Sequence, residues 1–138
     1  MSIKLLCTII YMLIGIICFV MAYKCIFAKE FLPFHQEAAG ISWKEIDNTI
    51  QKVIITILRI SGLGFLILFL LLTSFPIVNF FKNDPFIKLM VPVISIVFCT
   101  GLFIFNFLLY KDTNAKTPWR GSLMILVVLV ICLIFSFF

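Results

Sequence analysis

The side chains of this chain that could do chemistry lie mainly in two short stretches. They are His35, Glu37 and Trp43 in the first stretch and Tyr110, Thr117 and Trp119 in the second. An imidazole near a carboxylate suits general acid–base catalysis, and it is equally an ordinary hydrogen-bonding pair at a membrane surface. The two stretches therefore predict either a polar cluster that binds a ligand or an intramembrane enzyme that uses His35 with Glu37 and Tyr110.

Arg59 is a cation inside a long apolar segment. It ends a series with helical spacing, which predicts one polar stripe on a helix: Glu45, Asn48, Lys52, Thr56 and Arg59. A guanidinium keeps its charge in a bilayer, so it must reach the headgroups or find oxygen partners. Two interpretations stay open. Arg59 snorkels to the headgroups, or it faces the interior and forms an anion site, held by Glu37, Asp112 or the amide of Asn106.

No motif assigns a reaction or a cofactor. The chain has one histidine and no H-E-x-x-H sequence, so we expect no metal site. Its five cysteines form no C-x-x-C pair, which argues against a paired-thiol relay and favours small buried hydrophobes. A P-loop and a dinucleotide fingerprint are also missing from the sequence. We therefore expect no cofactor.

The composition indicates that lipid is the solvent for much of the surface. Of 138 residues, 64% are hydrophobic and 12% charged, against roughly 45–50% and 25% in a soluble domain. A soluble chain of this size buries only about 68% of its unfolded surface, too little to hide so many apolar residues. The net charge of +5 fits loop orientation and anionic headgroups better than nucleic acid. We expect a multi-pass protein of a cell membrane whose partner is the bilayer.

Four apolar segments predict an all-α, polytopic membrane protein, a single-domain antiparallel four-helix bundle. The predicted spans are about 3–22, 53–75, 86–110 and 118–138. Each is close to the 20 or so helical residues that cross a hydrocarbon layer of roughly 30 Å. The first segment could alternatively be a cleaved signal peptide, although its apolar stretch is long for one.

Capping signals predict where the later helices begin. A long polar connection, 23–42, leads into the capping box Ser42-Trp43-Lys44-Glu45, so the second helix should begin near 43 and run to the residue before Pro76. Asp84-Pro85 and Thr117-Pro118 are N-cap signals for the third and fourth helices.

Four spans place the connections 23–42 and 111–117 on one side of the membrane, here called the long-loop face. Seven Lys and Arg residues lie there, against three on the side that holds both chain ends. This count favours a cytoplasmic long-loop face. Orientation stays open, because Lys44 and Lys52 share their segment with an amphipathic turn. Trp43 and Trp119 also suit the aromatic anchors of a membrane interface.

The first segment carries small residues at helical spacing, which lets another helix approach closely. The face consists of Thr8, Tyr11, Gly15, Cys18, Ala22 and Cys25. It predicts a second kind of function, an accessory or assembly subunit that forms homo- or hetero-oligomers through this face.

Several motifs resemble a family of short four-span bacterial integral membrane proteins that has no assigned activity. They are Leu32-Pro33-Phe34-His35, Leu58-Arg59-Ile60-Ser61-Gly62 and the run from Thr113 to Trp119. The resemblance covers most of the chain and implies a bacterial inner membrane. It also implies that residues 35, 43, 59 and 117–119 form a shared polar cluster, and it supplies no reaction.

The leading expectation is a small integral membrane protein that binds an anionic or amphiphilic ligand, or a partner segment, at the long-loop face. The predicted ligand-binding residues are Arg59, His35, Glu37, Trp43, Asn106, Tyr110, Thr117 and Trp119. A transporter is disfavoured, because four spans with one intramembrane charge offer little machinery for alternating access.

Overall fold

The computed structural model describes residues 3–82 and 84–135, and these are all-α with no strand. The helices are α1 (Ile3–Ile26), α2 (Pro33–Ala39), α3 (Asn48–Lys82), α4 (Pro85–Thr113) and α5 (Trp119–Phe135). A single 3-10 turn, Trp43–Glu45, precedes α3. The predicted all-α class is therefore confirmed.

Three helices are long and apolar enough to cross a membrane: Leu5–Ile26, Asn48–Asn79 and Pro85–Thr113. The fourth predicted span corresponds to α5, an apolar helix of 17 residues. The last three residues of that predicted span, 136–138, lie outside the described residues.

The predicted capping box forms, but it does not begin a long helix. The Ser42 N–H donates to the Glu45 carboxylate over 3.3 Å, and the backbone is then extended at Ile46. A continuous helix would pair the Trp43 carbonyl with the Asp47 N–H. Here that carbonyl accepts instead from the Ile46 N–H and, over 2.8 Å, from the side chain of Gln51. The predicted start at 43 is therefore wrong.

The bounds of α3 are set by other residues than expected. Asp47 accepts the Thr49 N–H over 2.8 Å and starts the helix. At its other end, α3 continues through Pro76 to Lys82, so the predicted end before Pro76 is wrong. Proline is tolerated within membrane helices because neighbouring groups satisfy the carbonyl that it leaves free.

The predicted N-cap of the third helix is confirmed. Asp84 accepts the N–H of Phe86 over 2.8 Å and that of Ile87 over 3.4 Å, and Pro85 occupies the first helical position. Pro92 is buried inside α4.

Two glycines bring α1 and α3 into close backbone contact. A Cβ at Gly15 would lie 2.8 Å from Thr73 Cγ2, and one at Gly62 would lie 2.7 Å from Ile26 Cγ1 and 3.0 Å from the Ile26 nitrogen. The N-terminal half of α1 thus packs against the C-terminal half of α3, and the C-terminal end of α1 packs against the N-terminal half of α3. The two helices are therefore antiparallel.

The small-residue face of α1 packs within the chain. Tyr11, Cys18 and Ala22 are buried, at 7%, 6% and 1% exposure, and Gly15 in the same face contacts α3. The predicted close helix packing occurs, but α3 already covers this surface. In this structure the face is covered by a helix of the same chain, and oligomerisation through it stays a prediction.

The core draws on all four long helices. Its most buried leucines are Leu72 of α3 and Leu129 of α5, both 0% exposed. All five cysteines are buried. Cys7 on α1 and Cys132 on α5 lie near each other in this core, where α1 contacts α5.

We expect Gly62→Ala to destabilise the protein by about 1 kcal/mol or more, because the new methyl group meets the backbone of α1. Unfolding of the purified protein in mixed micelles with increasing sodium dodecyl sulfate measures this. Gly101→Ala is the matched control. Nothing lies within 4 Å of a Cβ there, so the same change should stabilise α4 by about 0.5–1 kcal/mol. Equal stabilities of the two variants would contradict the close contact.

Candidate functional site

An open apolar cleft lies beneath α2 at the long-loop face. Its volume is about 370 Å³. Its walls come from the segment just before α2, from α2 itself, from the first turns of α3 and from α4. In that order the residues are Phe31; His35, Ala38 and Ala39; Ile54, Ile57 and Leu58; and Leu109. We call it the α2 cleft. Seven of these residues are apolar, and only His35 brings a polar side chain.

The sequence of α2 explains its short length. Pro33 occupies the start of the helix after an extended Leu32, and Gly40 ends it with φ 65°, a left-handed conformation that glycine adopts without strain. The Gly40 N–H donates to the Gln36 carbonyl over 3.1 Å. Proline and glycine therefore restrict α2 to seven residues.

The cleft residues His35, Ala38 and Ala39 form one face of α2, and Phe31 extends this apolar surface just before the helix. The opposite face borders a separate shallow groove lined by Pro33, Gln36, Glu37, Gly40, Ile41 and Ser42. The two faces of α2 thus separate an apolar surface from a more polar one.

His35 is half-buried among aromatic rings. Its ring centroid lies 4.1 Å from that of Phe34 and 6.3 Å from that of Phe31. Burial lowers the pKa of His35. This environment favours the neutral imidazole, which can both donate and accept a hydrogen bond.

The predicted pairing of His35 with Glu37 does not form. Residues two apart on a helix point in nearly opposite directions, and Glu37 is exposed beside the shallow groove. Tyr110, the third member of the predicted enzyme, packs on Trp119 instead, with centroids 5.7 Å apart. The three residues therefore do not share a site.

Trp43 supports Phe31, one of the wall residues of the α2 cleft. Its ring packs edge-on against Phe31, with centroids 4.9 Å apart, and Phe31 lines the cleft. Gln51 holds this turn in place by donating to the carbonyls of Trp43 and Ile46, at 2.8 and 3.1 Å. Trp43 thus positions a wall of the cleft from outside it.

Arg59 lies on the outer surface of α3 and is exposed. Its neighbours on the polar stripe, Lys52 and Thr56, are exposed as well. Across the described ranges, no hydrogen bond or ion pair holds the guanidinium. The interpretation that Arg59 faces the bundle interior, held by Glu37, Asp112 or Asn106, is therefore wrong.

The register of α1 against α3 explains why this cation is tolerated. Gly62 lies level with Cys25 and Ile26, and α1 ends at Ile26. Because the helices are antiparallel, Arg59 lies level with the residues just beyond the end of α1. The cation therefore lies at the level of the first connection of the long-loop face, a position from which a long side chain could snorkel.

Asn106 and Thr117 join α4 to the segment before α5. The Thr117 hydroxyl, in a side chain with only 8% exposure, donates to the backbone carbonyl of Asn106 over 2.8 Å. The Asn106 side chain donates to the Leu102 carbonyl in its own helix, also over 2.8 Å. The hydroxyl of Thr117 thus bonds to α4, whereas the Asn106 amide bonds within its own helix.

Trp119 is the centre of an aromatic cluster at the start of α5. Its ring centroid is 5.5 Å from Phe107 and 5.7 Å from Tyr110, and the guanidinium carbon of Arg120 lies 5.3 Å from it. This arrangement suits a membrane-interface anchor.

The eight predicted ligand-binding residues therefore separate into four places. His35 lines the α2 cleft, Trp43 packs behind its wall residue Phe31, and Glu37 lines the shallow groove. Asn106, Tyr110, Thr117 and Trp119 hold the α4–α5 connection, and Arg59 lies outside. The apolar walls were missed, although the helical spacing of Phe31, His35, Ala38 and Ala39 was a usable signal.

Comparison with known proteins does not assign a function. No protein-family model, no curated protein and no solved structure matches this chain. The resemblance to short four-span bacterial membrane proteins stays a prediction. In the described part of the chain, no three His, Cys, Asp or Glu side chains are grouped so that they could hold a metal ion.

We expect Thr117→Val to lower the free energy of unfolding by about 1 kcal/mol, because the Asn106 carbonyl loses its donor. The same micelle unfolding measurement checks it. Thr56→Val is the control, since that hydroxyl donates to a carbonyl of its own helix on an exposed surface. It should change stability by less than about 0.5 kcal/mol. A Thr117 variant as stable as the control would show that this bond does not hold α4 to α5.

Proposed function

We propose that this chain crosses a cell membrane four times as an antiparallel bundle and holds an amphiphilic molecule in the α2 cleft. The observation that carries the proposal is the cleft itself, an apolar hollow with one polar side chain at the membrane surface. Such a site matches the two parts of an amphiphile, a hydrocarbon chain and a head group that forms hydrogen bonds.

The four-span arrangement is supported by α5 as well as by the three long helices. The 17 residues of α5 measure about 26 Å, close to a hydrocarbon layer of roughly 30 Å. α5 packs extensively on α4 and also contacts α1, where Cys132 lies near Cys7. A helix packed against two spanning neighbours fits the same layer.

The size and walls of the α2 cleft favour a slender ligand. Its volume of about 370 Å³ is near the lower end of the roughly 300–1,000 Å³ of small-molecule sites. The walls are aliphatic and aromatic side chains together with two alanines. A single hydrocarbon chain fits such walls, because they offer it contact area without polar groups that would lose hydrogen bonds.

Arg59 has a different place in this proposal from the one that the sequence favoured. It follows Leu58, a wall residue of the cleft, but it is exposed on the outer surface. It therefore suits contact with anionic headgroups of the surrounding bilayer and not a bound anion inside the protein. The alternative function, an accessory or assembly subunit, would need the small-residue face of α1, which α3 covers.

The four-span bundle predicts that Cys7 and Cys132 can be joined by oxidation. In a variant with Cys18, Cys25 and Cys99 replaced by Ala, copper phenanthroline should oxidise the remaining pair within one chain. Alkylation after denaturation, followed by intact-mass measurement, would then find both thiols protected. A variant that keeps only Cys7 and Cys25 should remain reduced, because these residues lie near opposite ends of α1. Cross-links only between two chains would contradict the placement of α5.

The α2 cleft predicts where a lipid-like probe binds. The protein in phosphatidylcholine nanodiscs is irradiated with a monoacylglycerol that carries a diazirine in its chain, and labelled peptides are mapped by mass spectrometry. Labelling should concentrate on the cleft residues of 31–39 and 54–58. Ala38→Trp fills the cleft and should reduce this labelling at least about fivefold, since overpacking costs about 1 kcal/mol or more.

Two control variants separate the cleft from general lipid exposure. Met124→Trp adds the same side chain at a position that is 71% exposed on α5, and Arg59→Gln removes the outer cation. Both should leave the cleft labelled. Labelling spread evenly over the lipid-facing helices, and unchanged by Ala38→Trp, would reject the proposed function.

A further inference from the structure

His35 is the one residue of the α2 cleft whose charge can change near neutral pH. Histidine is the only side chain whose ordinary pKa lies between about 5 and 8, and this chain has a single histidine. The imidazole lies beside Phe31 and Phe34 and faces the aliphatic wall of Ile54, Ile57 and Leu58. A proton on this ring would place a full charge against an apolar surface.

The charged groups on the elements around His35 do not compensate such a charge. All of them are exposed: the acids Glu30, Glu37, Glu45, Asp47 and Asp112, and the bases Lys29, Lys44, Lys52, Arg59 and Lys111. Acids and bases are equal in number, so these groups carry no net charge as a set. Throughout the part of the chain that the structure covers, none of them is hydrogen-bonded or ion-paired to the imidazole.

We propose that the α2 cleft holds its amphiphile only while His35 is neutral, and that protonation of His35 releases it. This inference rests on the proposed function and adds to it the regulation of the same site. It also narrows the ligand class. The head group must be one that forms a hydrogen bond with a neutral imidazole.

The direction of the effect follows from burial. A chain in the cleft removes the remaining water from one side of the ring, which disfavours the charged form further. By linkage, protonation must weaken chain binding by the same factor as chain binding weakens protonation. Affinity is therefore constant well above the pKa of His35 in the empty cleft, which burial already lowers from its ordinary value. It falls as the pH drops below that pKa, by at most about tenfold per pH unit for one proton.

The test is the photolabelling experiment with the same monoacylglycerol probe at about pH 8 and about pH 5, which bracket the titration of histidine. Neither this probe nor a phosphatidylcholine bilayer carries a group that titrates in that interval. Labelling of residues 31–39 and 54–58 should fall at least about fivefold at the lower pH and return when the pH is raised. Far-ultraviolet circular dichroism at both pH values checks that the helices remain folded.

His35→Gln is the matched variant, since glutamine keeps hydrogen-bonding capacity and does not titrate. Whatever the level of its cleft labelling at about pH 8, that labelling should be the same at about pH 5. An equal loss at low pH in His35→Gln and in the unmodified chain would overturn the inference, and so would cleft labelling that is the same at both pH values. Absence of cleft labelling even at about pH 8 would instead reject the proposed function itself.

Discussion

The close contact between α1 and α3 determines where, along the helix axes, the polar groups of the long-loop face lie. Gly15 and Gly62 leave no space for a side chain, so these two contacts favour the observed register. That register places the end of α1 level with Gly62. As a result Arg59 lies beyond the end of α1, and Ile54, Ile57 and Leu58 remain uncovered by α1 and become part of the wall of the α2 cleft.

Hydropathy and capping signals predicted the elements well but not their faces. The apolar segments and the Asp84 cap gave the positions of α1 and α4, because helix length and N-cap chemistry are local properties. Packing faces are not local. In lipid the outward side of a helix is as apolar as the inward side, so Val97, 68% exposed, and Leu72, fully buried, have the same hydropathic signature. For the same reason the sequence could not show that the Arg59 side chain points outward.

The candidate site was only partly predictable. His35 and Trp43 were recognisable as polar residues at an interface, and the structure places both at the α2 cleft. Its walls are ordinary aliphatic residues from three elements, and no spacing in one sequence relates Leu109 to Leu58. The start of α3 was mispredicted because Gln51, eight residues after Trp43, bonds to the Trp43 carbonyl. The capping box alone does not show that the Gln51 side chain binds the Trp43 carbonyl.

The walls of the α2 cleft belong to two separately packed hairpins. α1 packs mainly on α3, and α4 on α5, while the contact between α3 and α4 is much less extensive. The distance between Leu58 and Leu109 therefore depends on the less extensive contact, that between α3 and α4. A small change at that contact would alter the width of the cleft without disturbing either tightly packed pair.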